Sequence, residues 1–280
     1  MSLASPTLDA AIIGRSREQA VLRTHLAGVL AGRGSLVWVA GEAGIGKTTL
    51  VDWLAGEARR QGVTMLAGYC YDLTTAPPYG PWREAFDDPG LVGSTSNPLR
   101  PAADLDIVTS QDVLFARVRA FVANLTAAQP IMLVLEDLHW TDPASLDLLR
   151  SLARGIESLP LLLIATYRAD ELTRQHSLSR LLPVVVREAK AARLDLQPFT
   201  GDDLEALIAS RYALSPTDER RLLTYLQARA AGNPFYLTEL LRTLESERLL
   251  RPTDELWRLD DLDGAPIPTL VQQVIERRLA

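Results

Sequence analysis

"VAGEAGIGKTTLV", residues 39–51, contains Gly41, four intervening residues, then Gly46, Lys47 and Thr48, the spacing G-x-x-x-x-G-K-[ST]. It follows "SLVWVA" (35–40), an apolar run that reads as a short buried strand, and it opens a pattern that predicts a helix from about Lys47 to Arg60. A glycine-rich turn between strand and helix has a direct chemical use. Glycine permits positive φ and close backbone approach, so successive N–H groups across Gly41, Glu42, Ala43, Gly44, Ile45 and Gly46 can cradle an anion. The helix N-terminus adds a favourable dipole. In such a loop Lys47 reaches the β- and γ-phosphates of a nucleotide, the hydroxyl of Thr48 ligates Mg²⁺, and Thr49 completes the nucleotide-binding set.

A phosphate loop of this kind needs acids at the end of a neighbouring strand. "IMLVLEDLHWTDP" (131–143) supplies them: five apolar residues lead into Glu136 and Asp137. A buried strand ends in adjacent carboxylates at a cost unless they meet water, a metal or a partner. Glu136 is the candidate to hold Mg²⁺ with Thr48, and Asp137 the candidate to position the attacking water. "LLLIATYR" (161–168) reads as another buried strand, with Thr166 and Arg168 at its end as candidate readers of a γ-phosphate; an arginine offers a fork of donors suited to phosphate. His139 and Trp140 read as a structural turn in which the indole packs and the imidazole bonds locally. His25 and His176 have no metal-like spacing, and Cys70 reads as a small buried hydrophobe.

Working outward, apolar strands alternate with helical patterns over residues 1–197, which predicts an α/β domain whose parallel sheet has helices on both faces. Ser16 and Gln19 have capping-box spacing at the head of the first helix, and Asp142–Pro143 opens a later one. Residues 73–108 carry mostly loop signals. Residues 198–250 hold three helices with start signals at Thr200, Ser215–Pro216 and Asn233–Pro234. Residues 251–280 read as a hairpin followed by an amphipathic helix that stops uncapped, as in a fragment of something longer.

The 280-residue chain is 47% hydrophobic and 23% charged, ordinary values for a globular protein, and its net charge is −6. An acidic balance argues against clamping nucleic acid as the main work. One cysteine allows no internal disulfide, no apolar run approaches the ~18 residues of a membrane span, and the first residues lack a signal-peptide pattern, so a cytoplasmic protein without membrane contact is expected.

These motifs in this order resemble the signal-transducing AAA-type NTPases called STAND proteins, and among them the ATPase module of LuxR/MalT-type bacterial transcriptional regulators, a module also found fused to adenylate cyclases and kinases. "IIGRSREQAVL" resembles the N-terminal h-G-R-x-x-E/Q element, "VAGEAGIGKTTLV" Walker A, "PYGPWREAF" a segment frequent in the group, and "LVLEDLHWTDPASLDLL" its extended Walker B. "LLLIATYR" is similar to sensor 1, "AGNPFYLTELL" to the GxP motif of the helical lid, and "IPTLVQQVIERRLA" to the start of a winged-helix domain. The resemblance implies that Ile13, Gly14 and Arg15 line the adenine pocket, that Pro234 contacts the adenine or holds the lid, and that Arg168 reads the γ-phosphate. It implies ATP and ADP with Mg²⁺ as ligands, self-association in the ATP state, and DNA contact only through an output domain that this chain does not contain. One departure stands out. AAA proteins generally place Asp before Glu at this strand end, whereas here Glu136 comes first, as is common in the LuxR-like branch. Asp137 is one methylene shorter than the usual base, and a misplacement of about 1 Å can cost on the order of 10²-fold in rate. A switch that binds nucleotide tightly and hydrolyses it slowly is therefore expected. The alternatives are a non-hydrolysing ADP-holding scaffold, a module fused to a cyclase or kinase, and a DNA-loading ATPase of the origin-recognition type.

Overall fold

The computed structural model describes residues 12–72, 76–88, 91, 97–100, 110–254, 256–269 and 271–272. Five strands form one parallel sheet: β1 (Ser35–Ala40), β2 (Thr64–Tyr69), β3 (Ile131–Glu136), β4 (Leu161–Tyr167) and β5 (Ala192–Asp195), in the order β2-β3-β4-β1-β5. Every residue of β3 and β4 is buried, as the apolar runs Ile131–Leu135 and Leu161–Ala165 require of strands covered on both faces. The expectation that the acid-bearing strand neighbours the phosphate-loop strand is corrected here. β4 is inserted between β1 and β3, where its apolar run Leu161–Ala165 takes the centre of the sheet. Register keeps the carboxyl ends level, with Ala40 opposite Tyr167, Leu135 opposite Ala165 and Tyr69 opposite Glu136. In open parallel sheets that edge is where ligands bind.

Flanking helices are α1 (Ser16–Leu30), α2 (Lys47–Arg60), α3 (Gly80–Phe86), α4 (Gln111–Ala128), α5 (Pro143–Ala153) and α6 (Ser177–Glu188). α5 starts as its sequence dictates: the Asp142 carboxylate accepts from the Ser145 amide at 2.9 Å and Pro143 fills the first turn. α3 lies within the stretch that reads as loop. It is too short to show a period, and long-range packing holds it instead. The buried Trp82 donates its indole N–H to the Ser145 carbonyl at 3.1 Å and lies 6.0 Å from Phe86, which in turn meets Phe121 edge-on. β2 meets α3 at Gly68, where a Cβ would fall 1.8 Å from the Pro81 carbonyl oxygen, so any side chain there would separate helix from strand. α6 is longer than its sequence suggests, running twelve residues through Pro183.

The described chain divides into two compact units. The first comprises Arg17–Glu42 and Lys47–Asp195, and the second includes residues 12–16, 43–46 and those from Leu196 on. In the second unit, α7 (Gly201–Arg211), α8 (Pro216–Ala230) and α9 (Pro234–Ser246) start at Thr200, Ser215 and Asn233, each of which accepts from an amide of its own first turn. Their inward faces, with Leu204, Ile208, Leu222, Leu226, Leu237 and Leu240, build a leucine core that also takes in Leu250 and Leu259. The last two come from the antiparallel hairpin β6 (Leu250–Pro252) and β7 (Trp257–Leu259). The expected winged-helix segment and its basic Arg277 and Arg278 lie mostly or wholly outside the described residues. Among the described residues no helix is long and apolar enough to cross a membrane.

Candidate nucleotide site

The phosphate-loop stretch leaves β1 at Gly41 and enters α2 at Lys47. Gly44 has φ +75° and Gly46 φ +98°, a region costly for residues with a Cβ. Gly44 is doubly constrained, because a Cβ there would lie 2.6 Å from Cβ of Phe235. Lys47 is buried, and its Nζ donates to the carbonyls of Gly41 and Glu42, both at 2.9 Å. Burial holds the Lys47 pKa below its ordinary value; Asp137, Asp170 and Glu136 oppose that effect and Arg168 adds to it. Thr48 and Thr49 follow with exposed side chains on a first turn that has no acid to counter the helix dipole. Glu42 is exposed and Ile45 buried.

Within the second unit, three donors hold successive carbonyls of Ala43, Gly44 and Ile45. Asn233 Nδ2 bonds the first at 2.9 Å, the Phe235 amide the second at 3.2 Å, and the Arg15 guanidinium the third at 3.0 Å. Arg15 is buried, also donates to the Gln197 carbonyl at 2.7 Å, and lies over the Phe199 ring at 5.3 Å. Gly14, at φ +69°, packs so closely on Asp203 of the α7 capping box that a Cβ would fall 2.7 Å from its carboxyl carbon. Ile13 packs on the leucine core, and Pro234 is the partly exposed first residue of α9. Sequence reasoning treated Asn233 as a cap alone. The missed signal is its amide: an Asn cap accepts through Oδ1, here from Phe235, and keeps an N–H donor that an ionised Asp in the same capping role would lack.

At the end of β3 the two acids are held by one hydroxyl. Thr166 Oγ1 donates to Glu136 Oε2 at 2.7 Å and accepts from the Asp137 amide at 2.9 Å. Thr166, a candidate γ-phosphate reader, is thus the clamp of the acidic pair. Burial raises the Glu136 pKa; the Thr166 bond works against this and the adjacent Asp137 charge adds to it. Asp137 takes φ 58°, ψ 44° before a short 3₁₀ turn, Leu138–Trp140. Asp enters that left-handed region far more readily than most residues. The order Glu136 then Asp137 therefore has a backbone reason: the second acid stands where the chain must turn left-handed.

Beside it, Arg168 NH1 contacts Glu171 Oε1 at 2.6 Å, its Nε is 4.0 Å from Asp137 Oδ1, and its guanidinium lies 4.7 Å from the Trp140 ring centroid. His139 is buried. Its Nδ1 accepts from the Arg168 amide at 3.4 Å, which puts the ring proton on Nε2, 3.4 Å from Glu171 Oε2. Burial lowers the His139 pKa against the pull of Asp137 and Glu171. Its carbonyl meets His176 Nε2 at 2.9 Å, so the local, structural reading of this turn agrees with the bonding. Glu171, three residues past Arg168 in a loop without pattern, gave no sequence signal. Cys70 is buried, which pushes its thiol pKa up to about 12.

Thr48 and Glu136 offer hard oxygen donors of the type Mg²⁺ prefers. Among the described residues no three His, Cys, Asp or Glu side chains cluster so as to hold a metal ion.

An uncharacterized protein of Rhizobium meliloti (strain 1021) is 27% identical over 304 aligned positions, covering 96% of this chain and 28% of the relative, so the chain spans little more than a quarter of that protein. The Aeropyrum pernix ORC1 protein, solved in complex with DNA, matches with TM-score 0.60 at 19% identity over 97% of this chain and 68% of its own. Drosophila ORC bound to DNA matches at 0.55 and 15% identity, over 100% and 69%. At these identities the likeness is one of fold, the P-loop NTPase sheet with a helical C-terminal region. Residues 11–164, more than half of the sequence, match the family described as AAA ATPase domain, and the chain belongs to that family.

Proposed function

We propose that the chain is an ATP-binding regulatory switch with slow Mg²⁺-dependent hydrolysis, serving as the signalling module of a larger LuxR-type transcriptional regulator of the STAND class. The observation that carries the reading is the Thr166-clamped acid pair in the same electrostatic neighbourhood as Lys47 and Arg168, at the carboxyl edge of the sheet. In this reading Lys47 and the amides of 41–49 hold the phosphates, Thr48 and Glu136 hold Mg²⁺, and Arg168 reads the γ-phosphate. Ile13, Gly14, Arg15 and Pro234 are the residues proposed for the adenine. Bound Mg²⁺ would neutralise charge on the β- and γ-oxygens. Asp137 orients a water and accepts its proton as the oxygen attacks the γ-phosphorus; the bond to the β,γ-bridging oxygen breaks, leaving ADP and phosphate. That the chain spans 28% of its Rhizobium relative supports a module within a longer protein, whose self-association and output remain part of the proposal.

Slow turnover follows from a short carboxylate set on a left-handed turn. Phosphate release by the purified chain with Mg²⁺ and ATP should run well below ~10 s⁻¹, the median for enzymes. Unstimulated release near that rate would overturn the switch reading, and ADP carried through purification with no release over hours would favour an ADP-holding scaffold.

The DNA in both matched structures favours a second reading, an origin-recognition-type DNA-loading ATPase. Against it stand the net charge of −6 and the acids Asp254, Asp260, Asp261 and Asp263 around the terminal hairpin. On the leading reading a labelled duplex titrated at about 50 mM salt is not bound. Binding that falls steeply towards about 200 mM, the signature of phosphate contacts, would favour the second.

A further inference from the structure

We propose that Glu171 sets the preference of this site between nucleoside triphosphate and diphosphate, by competing with the γ-phosphate for the Arg168 guanidinium. The inference rests on the nucleotide reading above.

Arg168 is the charged group at this strand end proposed to distinguish three phosphates from two, and it is already engaged. Its NH1 meets Glu171 Oε1 at 2.6 Å, while the second nearby carboxylate, Asp137, stands off at 4.0 Å. Trp140 lies against the guanidinium at 4.7 Å and limits where it can swing. The second Glu171 oxygen is 3.4 Å from His139 Nε2, and His139 Nδ1 receives the backbone amide of Arg168 itself. The buried imidazole thus borders both partners of the ion pair, accepting from the Arg168 amide and making no hydrogen bond to Glu171. A guanidinium fork has the same planar complementarity for carboxylate as for phosphate, so the two ligands compete for the same N–H groups. Glu171 and Arg168 side chains are 37% and 26% exposed. Partly exposed pairs are weak enough to be displaced by a multiply charged phosphate, yet strong enough to weigh on the balance. ADP lacks the competing group, so its binding does not require the pair to open.

The test is calorimetric titration of the 280-residue chain, with Mg²⁺, against ADP and against a non-hydrolysable β,γ-imido ATP analogue. Glu171→Gln keeps the size and removes the charge. It should tighten the analogue by up to about fivefold, the worth of one such pair, and leave ADP unchanged; Glu171→Asp, which keeps the charge, should return the ratio towards that of the parent. A purely structural role would move both ligands together. Arg168→Gln should weaken the analogue relative to ADP, and Glu171→Gln added to it should have no further effect. If Arg168→Gln lowers the ratio but Glu171→Gln leaves it unmoved, the competition is overturned while the nucleotide reading stands. If Arg168→Gln itself leaves the ratio unmoved, the γ-phosphate reader is wrongly assigned and the inference falls with it.

Discussion

Lys47→Ala should abolish measurable nucleotide binding and leave the fold intact. The ammonium is buried at the mouth of α2 and already makes two hydrogen bonds to loop carbonyls, at Gly41 and Glu42. Those carbonyls are weaker acceptors than phosphate oxygens, so a bound triphosphate draws the ammonium to itself at little cost. Hydrogen bonds involving a charged group contribute about 1.5–3 kcal/mol each. Losing two of them weakens binding by about 10²-fold or more. Alanine is the strongest helix former, so the first turn of α2 survives. Titration calorimetry beside circular dichroism separates the outcomes: affinity within tenfold of the parent, in a folded variant, removes Lys47 from the phosphate site.

Asp137→Asn has the opposite profile. Binding should be kept, and turnover should fall by about 10²–10⁴, the usual contribution of a positioned general base. The substitution is clean for a structural reason. The residue occupies a left-handed turn, which Asn enters as readily as Asp, and its amide bond to Thr166 does not involve the side chain. Glu136, which makes its own bond to Thr166, stays in place. What is lost is the carboxylate charge, 3.8 Å from His139 Nδ1 and 4.0 Å from Arg168 Nε. Single-turnover phosphate release is the measurement, and release at the parent rate means that some other group takes the proton.

Much of this architecture was legible because it is local. α2 spans Lys47–Arg60, as the loop motif and apolar period predict, and the caps at Asp142, Thr200, Ser215 and Asn233 are short-range hydrogen bonds written in adjacent residues. Buried strands announced themselves as unbroken apolar runs. Strand order was not legible, since nothing within β4 says that it lies between β1 and β3. Nor was α3, whose seven residues are held by Trp82 and a bare backbone at Gly68 instead of by periodicity. At the site, Lys47, Glu136 and Asp137 followed from motif chemistry, whereas the clamp at Thr166 depends on two strands meeting in register. Glu171 sits in a loop where one carboxylate looks like any other, and Asn233 reaches a carbonyl 190 residues away.

The ties on Ala43, Gly44 and Ile45 have one more consequence. A trans peptide is a rigid plate, with its oxygen and the following N–H on opposite edges. Holding the oxygens of residues 43, 44 and 45 therefore aims the amides of Gly44, Ile45 and Gly46. Asn233, Phe235 and Arg15 orient these donors without any need to touch an anion themselves. Ordering a free backbone costs about 1–2 kcal/mol per residue, and in this loop that ordering is done during folding, before any ligand arrives. The affinity of the loop is thereby written partly in residues that no phosphate contacts.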